Sequence, residues 1–162
     1  IREEKWNNYK LIFNKYVDHY HKELLKNPLA IEAKNYLKKR GLTIEEVKKF
    51  KIGFETNDIN FQENIFKEFK ESEIKETGLF YFDEKKKQYV SRFRERVLFP
   101  IKNISGEPIA IGGRILKDNK YFAKYINSPE TQFFKKGSNL YNLDFARKLS
   151  NNIDNILSLI HI

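Results

Sequence analysis

The residues best suited to chemistry lie in the stretch 94–141, where basic side chains accompany two alternating strands and a polar loop. Gly112-Gly113-Arg114 comes near the end of the second strand. Two glycines there indicate a bulge or the close approach of another group, and a guanidinium matches the geometry of phosphate oxygens. Lys124 follows, and Asn127-Ser128 add short hydrogen-bond donors before Pro129. These residue types predict a site that holds an anion.

Lys136 adds a further positive charge just before a predicted last helix over residues 139–149, whose N-terminus would favour anions. A purely structural interpretation is open as well. In that interpretation the strands form a bulged hairpin, and Arg114 pairs with Glu130 or Asp118. Spacing alone does not decide between the two interpretations.

Catalytic motifs are absent from the sequence. The chain has no cysteine, no nucleophile elbow and no Gly-Lys-Ser/Thr after its glycine pair, and no pair of acids stands at metal-binding spacing on a strand end. His19 and His21 are two residues apart on a predicted helix, a spacing that points them to different sides. We therefore predict no catalytic residue and no metal ligand in this segment.

Composition predicts one domain of ordinary size. The 162 residues are 40% hydrophobic, contain no apolar run long enough for a membrane helix, and open without a signal peptide, which is typical of a soluble protein. The net charge of +9 is uneven, with 19 basic and 16 acidic residues in 1–90 but 12 and 6 in 91–162. Such a field attracts polyanions, although a Lys-, Asn- and Ile-rich genome would also raise the charge. The chain lacks methionine even at position 1, so we expect a piece of a longer protein.

The first half of the chain is predicted to be helical. Apolar residues recur at helical spacing over 3–26, and Asn27-Pro28 ends that helix. A second helix follows up to Gly41, and Thr43 opens a third with capping-box spacing. A helical pattern returns over residues 60–70, and Thr77-Gly78 is expected to end it.

The second half is predicted to be mainly strands. Ile52–Phe54 is a short extended piece, Leu79–Phe82 and Gln88–Phe93 form a hairpin, and Val97–Ile104 and Pro108–Leu116 form another around Ser105-Gly106. Pro100 lacks an N–H and is expected at an edge or a bulge. Helices followed by a small meander and a last helix indicate an α+β fold.

The chain from Ala30 onward resembles the N-terminal part of the RNA-polymerase domain of bacterial replicative primases of the DnaG type. The motifs that carry the resemblance are Arg92–Arg96, Phe99–Ile101, Gly112–Arg114, Lys124–Thr131 and Leu140-Tyr141, with Tyr36–Leu42 and Ile52–Phe54 upstream. The resemblance implies N-terminal helices packed on a small mixed or antiparallel sheet. It also implies an enzyme, a DNA primase, that lays short RNA primers on single-stranded DNA in replication.

The resemblance further implies that basic residues of this subdomain line the surface that holds template, primer and incoming nucleotide. It assigns nucleic-acid or nucleotide binding to a set of polar residues, and it leaves Glu130 to orient the loop. That set is Arg40, Arg96, Arg114, Lys124, Asn127, Ser128 and Lys136.

The sequence departs from the family after position 150. Residues 155–159 resemble the strand that opens the metal-binding TOPRIM fold, but Ile160-His161-Ile162 follows in place of a Glu-Gly. We expect residues 1–150 to form the basic N-terminal subdomain and residues 151–162 a truncated start of TOPRIM. The parent protein is expected to use Mg²⁺ or Mn²⁺ and zinc, neither of them bound by this segment. Alone, the segment is expected to bind nucleic acid without catalysis.

The expected partners are single-stranded DNA template, RNA primer and nucleoside triphosphates, with the replicative helicase contacted through a missing C-terminal region. The expected location is the bacterial cytoplasm at the replication fork, with no membrane association. Two alternatives remain open: a non-catalytic nucleic-acid-binding module, and a segment of a phage-type helicase-primase.

Overall fold

The computed structural model describes residues 1–139, which fold into helices followed by antiparallel strands. The helices are α1 (Arg2–Lys26), α2 (Ile31–Lys39), α3 (Ile44–Lys49), α4 (Ile59–Glu68) and α5 (Glu71–Thr77), with a 3-10 turn at Pro28–Ala30. The strands are β1 (Gly53–Phe54), β2 (Phe80–Asp83), β3 (Gln88–Ser91), β4 (Arg96–Lys102), β5 (Pro108–Ile115) and β6 (Tyr125–Asn127). The predicted helix over 139–149, the predicted strand over 155–159 and the predicted boundary at residue 150 lie outside the described residues.

The strands form two antiparallel sheets. The larger has the order β1-β4-β5-β6, and β2 and β3 form a separate hairpin. β5 lies between β4 and β6, and it pairs Leu98 with Gly113 on one side and Gly113 with Ile126 on the other. The prediction of an α+β fold with helices on a small antiparallel sheet is confirmed.

Helix α1 supplies most of the main core. Its predicted apolar stripe is buried, with Tyr9, Phe13, Tyr16 and Tyr20 at 2% exposure or less. The Tyr9 hydroxyl donates to the carbonyl of Ile109 in β5 over 2.6 Å, which ties the helix to the sheet. Burial raises the pKa of Tyr9 to about 12. Neither α1 nor any other helix within residues 1–139 is long and apolar enough to cross a membrane.

A second, smaller core joins the end of α1 to α2, α3 and the edge of the sheet. The capping box predicted at Thr43 is present, because its Oγ1 accepts from the Glu46 N–H and Glu46 Oε2 accepts from the Thr43 N–H. Leu37 of α2 and Val97 of β4 are both buried in this cluster. Through these contacts α2 is fixed against the large sheet.

The predicted single helix ending at Thr77-Gly78 is wrong, because two helices occupy this stretch. Phe69 is extended, with φ −117° and ψ 153°, so α4 ends at Glu68 and α5 begins after Lys70. The Lys70 N–H donates to Glu73 Oε2 over 3.0 Å and starts the second helix. Gly78, with φ +69°, ends α5 as expected.

Pro100 lies where a strand tolerates a missing N–H. β1 pairs with β4 at Val97 and Leu98 alone, so Pro100 lies past the paired part of that side. The register shifts just beyond it, between Ile101 and Lys102. Both observations agree with the prediction of an edge or bulge position.

Glu55, which directly follows β1, carries a fully buried carboxyl group. Its Oε1 accepts from the Asn57 N–H over 2.6 Å, whereas Oε2 makes no hydrogen bond within residues 1–139. The Tyr20 hydroxyl is also buried without a hydrogen-bond partner in that range. Burial raises the pKa of Glu55 above its ordinary value of 4.5.

We predict that Glu55→Gln changes how stability depends on pH. A raised pKa in the folded state means that Glu55 stabilises the fold below pH 4.5 and loses that contribution as pH rises through its folded pKa. The free energy of unfolding of the variant should therefore rise relative to the natural chain over that window. The limit for one proton is about 1.4 kcal/mol per pH unit. Urea unfolding of both proteins at several pH values measures this difference, and a difference that is constant with pH would contradict the assignment.

Candidate nucleic-acid interface

Arg114 lies in β5 with its guanidinium between two tyrosine rings. Its Cζ is 4.4 Å from the centroid of Tyr36 on α2 and 5.5 Å from that of Tyr125 on β6. The Nε–H donates to the Tyr125 hydroxyl over 3.3 Å, and Nη1 donates to the Ile115 carbonyl over 2.7 Å. The residue is 7% exposed, so the planar group is held in one orientation.

Arg40 lies over the Tyr36 ring, and Lys124 directly precedes Tyr125 in the chain. The Arg40 Cζ is 5.6 Å from the Tyr36 centroid, four residues back on α2. The hydrogen bond from Arg114 lowers the pKa of Tyr125, and the positive charges of Arg114, Lys124 and Arg40 lower it further. Three of the predicted binding residues are thus brought together around one phenol. We call Arg40, Arg114, Lys124, Tyr36 and Tyr125 the basic–aromatic cluster.

Arg96 lies beneath this cluster and fixes the segment that carries Lys124. It is 5% exposed and donates from Nη2 to the Ala123 carbonyl over 2.8 Å and from Nη1 to the Lys124 carbonyl over 3.2 Å. Burial lowers the pKa of Arg96. Direct contact of Arg96 with nucleic acid stays a prediction, and the geometry favours a positioning role.

The two adjacent glycines are required by close approach within the chain. The β4–β5 register is regular at Gly112 and Gly113, so the bulge allowed by the sequence is not formed there. A Cβ at Gly113 would lie 2.7 Å from Cδ1 of Phe93 and 3.2 Å from Cδ of Arg96. A Cβ at Gly112 would lie 3.2 Å from Oδ1 of Asn127. Glycine therefore makes room for the residues that shape the cluster.

Asn127 is the last residue of β6, and Ser128 follows it. Ser128 is fully buried, its Oγ accepts from the Ile111 N–H over 2.8 Å, and its N–H donates to the Ile111 carbonyl over the same distance. Asn127 is half-buried opposite Gly112. Nucleic-acid binding by these two residues stays a prediction, and Ser128 already uses its polar groups to hold the strand.

Lys136 is exposed, and no contact within residues 1–139 joins its side chain to the cluster. Its N–H donates to Glu130 Oε1 over 2.9 Å, which agrees with the expectation that Glu130 orients the loop. The ion pairs that the structural interpretation required, from Arg114 to Glu130 or Asp118, are absent among the described residues. Asp118 instead lies 3.9 Å from Lys124 Nζ.

The donor set near the cluster does not fit the divalent metal that the family resemblance implies. The acids beside the cluster within the described range are Asp118, which lies 3.9 Å from Lys124 Nζ, and Glu32, which lies 3.4 Å from Lys117 Nζ. The neighbouring side chains are cations, which repel Mg²⁺. Thiolate zinc sites are excluded because the 162 residues contain no cysteine.

A group of potential metal ligands lies elsewhere. Oxygen or nitrogen atoms of His19, Glu23 and Asp58 lie within 4.8 Å of one another. His19 Nε2 is 3.0 Å from Asp58 Oδ2, and Glu23 Oε2 accepts from Thr56 Oγ1 over 2.7 Å. These bonds account for the group as a polar link between α1 and the start of α4. His21 contacts the Ile52 carbonyl instead, so the two histidines do point to different partners.

The sequence reasoning did not assign a role to Tyr36 and Tyr125. The spacing of Tyr36 and Arg40, four residues apart on a helix, was a usable signal for a shared face. Tyr125 follows Lys124 directly, but its contact with Arg114 depends on the β5–β6 register, which short-range patterns do not specify.

The fold and the site together define a class of protein. It is an α+β domain in which cations and tyrosines are grouped where helix α2 meets the end of the antiparallel sheet. The chain belongs to the family described as "DNA primase catalytic core, N-terminal domain", which matches residues 20–147. The resemblance stated from the motifs is thereby confirmed.

Curated relatives are named DNA primase. The chain is 40% identical over 133 residues to the protein of Clostridium acetobutylicum, covering 80% of this chain and 21% of that one. It is 39% identical over 145 residues to the protein of Staphylococcus epidermidis, covering 88% and 24%. The chain therefore spans about a fifth to a quarter of the length of these relatives.

Solved structures share the fold. One, described as the DnaG primase catalytic domain bound to ssDNA, has a TM-score of 0.79 at 32% identity and covers 91% of this chain and 45% of that one. Another, the zinc-binding and RNA polymerase domains of the Aquifex aeolicus primase, has a TM-score of 0.76 at 31% identity and covers 86% and 34%.

We predict that Arg96→Leu destabilises the chain and loosens the Lys124 segment. The variant loses two hydrogen bonds from a charged donor, so the free energy of unfolding should fall by about 2 kcal/mol or more. Amide exchange at Ile115, whose N–H donates to the Lys124 carbonyl over 3.0 Å, should accelerate. Arg2→Leu, at an exposed position, is the matched control, and equal stability of the two variants would refute this role for Arg96.

Proposed function

We propose that this chain is the part of a bacterial DNA primase that holds the single-stranded template, and the phosphates of primer and incoming nucleotide, beside the site of RNA synthesis. The observation that carries the proposal is that Arg114 lies 4.4 Å and 5.5 Å from the ring centroids of Tyr36 and Tyr125, with Arg40 5.6 Å from the Tyr36 ring and Lys124 next to Tyr125 in the chain. The relatives named DNA primase favour this proposal over a non-catalytic module or a helicase-primase segment.

The physical argument begins with charge. A strand of nucleic acid presents one negative charge per nucleotide, and binding cations release the counterions condensed around it. Arg40 and Lys124 are exposed, and the excess of charge lies in the part of the chain after residue 90. This surface attracts a phosphate backbone from a distance.

Orientation of Arg114 adds to the effect of charge. A free arginine loses side-chain freedom when it binds a phosphate, and here Tyr36 and Tyr125 have already restricted the guanidinium. Its Nη2 donates to no acceptor within residues 1–139. In this proposal the small exposed part of Arg114, which is 7% exposed overall, presents those N–H groups to a phosphate oxygen. Contacts of this kind position a strand without reading its sequence.

The metal-dependent step of primer synthesis belongs, in this proposal, to parts of the parent primase other than the basic–aromatic cluster. The helicase is contacted by another region as well, and the parent acts at the bacterial replication fork. The contribution of this chain is to bind and align nucleic acid, which lowers the entropic cost of bringing the reacting groups together.

We predict salt-dependent binding of single-stranded DNA by the isolated chain. Fluorescence anisotropy of a labelled oligo-dT, measured from about 50 to 200 mM salt, should give a steep decrease in affinity. Lys124→Ala and Arg114→Ala should each weaken binding and reduce the slope of log K against log salt by about 1. Lys86→Ala, at the exposed tip of the β2–β3 hairpin, removes the same charge elsewhere and is the control.

Binding that does not depend on salt would contradict the proposal. Equal losses of DNA affinity in Lys124→Ala and Lys86→Ala would contradict it as well. Arg114→Lys separates charge from geometry, because lysine keeps the charge and loses the planar group between the rings. Its salt slope should match that of the natural chain while its affinity falls.

We predict that the isolated chain makes no RNA primer. The acids beside the cluster, Asp118 and Glu32, lie 3.9 Å and 3.4 Å from lysine ammonium groups, and within residues 1–139 no group of metal ligands lies at the cluster. A reaction with single-stranded template, labelled nucleoside triphosphates and Mg²⁺ or Mn²⁺ should yield no extension product, with an intact bacterial primase as the positive control. If the natural chain made primers and a parallel preparation of Arg114→Ala did not, the chain itself would catalyse the reaction and the prediction would be wrong.

A further inference from the structure

A short turn between β5 and β6 exposes two aromatic rings next to the basic–aromatic cluster. Asn119 and Phe122 form a β-bridge, and the Tyr121 N–H donates to Asn119 Oδ1 over 2.8 Å. We call residues 119–122 the aromatic turn. These bonds give the turn a defined shape, so its rings are presented from a folded backbone.

The exposure of these rings is unusual. Tyr121 is 89% exposed and Phe122 is 58% exposed. Single apolar residues on a surface are ordinary, but two adjacent aromatic rings leave a contiguous apolar area in water. Tyr125, which contacts Arg114, is itself 37% exposed and follows four residues after Tyr121. The turn therefore leads directly into the strand that carries one of the aromatic rings of the cluster.

The aromatic turn is anchored to the site by Arg96. That guanidinium binds the carbonyls of Ala123 and Lys124, the two residues that follow the turn, and the Ile115 N–H also donates to Lys124. A rigid attachment on this side keeps the rings close to the cations of the cluster. The turn is not a free loop tip attached at distant points.

The charges around the aromatic turn indicate which kind of ligand it binds. Lys117, Lys120 and Lys124 lie in or beside the turn. Two acids lie near them, because Lys117 Nζ is 3.4 Å from Glu32 and Lys124 Nζ is 3.9 Å from Asp118, and the local balance stays positive by the charge of Lys120. A second copy of this chain, with a net charge of +9, would be repelled. Flat rings beside cations match unpaired nucleic acid, in which each base offers a stacking face and each linkage a phosphate.

We infer that Tyr121 and Phe122 stack on unpaired bases of the same single strand whose phosphates are held by Arg40, Arg114 and Lys124. This inference rests on the proposed function and adds a base-dependent contact to it. Stacking needs no particular base, so the contact strengthens binding without sequence preference. It also distinguishes an unpaired template from a duplex, whose bases are already stacked on one another.

The test compares oligo-dT with an abasic oligonucleotide of the same length, in the full chain. The natural chain should bind oligo-dT more tightly than the abasic strand. The Tyr121→Ala/Phe122→Ala double variant should lose at least about fivefold in affinity for oligo-dT. It should bind the abasic strand as the natural chain does, with an unchanged salt slope. Tyr121→Phe keeps the ring and should bind normally, and Phe82→Ala removes a different exposed aromatic ring as a control.

Failure of this inference is distinguishable from failure of the proposed function. Salt-dependent binding that is equal for oligo-dT and the abasic strand would overturn stacking and leave the phosphate site intact. Equal losses on both strands in the double variant would also overturn it. If the double variant lost binding to anionic phospholipid vesicles while its DNA binding stayed unchanged, the rings would be assigned to a membrane surface and the inference would be overturned as well.

Discussion

The contact of Arg114 with Tyr36 and Tyr125 joins the two halves of the fold at the point where the site lies. Tyr36 comes from a helix of the first half, whereas Arg114 and Tyr125 are cross-strand neighbours in the sheet. The rings hold the guanidinium, and their separation depends on how α2 packs against β4. Any change that shifts α2 relative to β5 therefore moves the charge that we assign to phosphate binding. The smaller hydrophobic core stabilises the fold and also sets the geometry of the site.

Several features that look separate in the sequence serve this contact. Gly113 admits the Phe93 ring and the Arg96 side chain, and Arg96 in turn donates to the carbonyls of Ala123 and Lys124. Ser128 holds the end of β6 to Ile111. The basic residues of this region are thus divided between two tasks. Buried arginine fixes the backbone, and cations at the surface face the solvent.

The sequence predicted most of the local structure, because the relevant signals are short-range. The stripe on α1, the capping box at Thr43 and the β4–β5 hairpin each depend on residues a few positions apart, and all are present. The break between α4 and α5 was missed because Phe66 and Phe69 continue a helical spacing across it, while the extended backbone of Phe69 interrupts the helix. Residue type could not show that Arg96 and Arg114 are both buried, or that Arg96 binds backbone carbonyls whereas Arg114 lies against the two tyrosines. Burial of a charge is decided by contacts between distant segments.

The most direct test of the central claim is to follow the Nε–Hε resonances of the arginines by NMR while a short single-stranded DNA is added. The account predicts shifts at Arg114 and Arg40, whose guanidinium groups lie on Tyr36, and little change at Arg96, whose terminal nitrogens are already bound to carbonyls. Shifts confined to other arginines, with the Arg114 resonance unmoved at saturation, would contradict it.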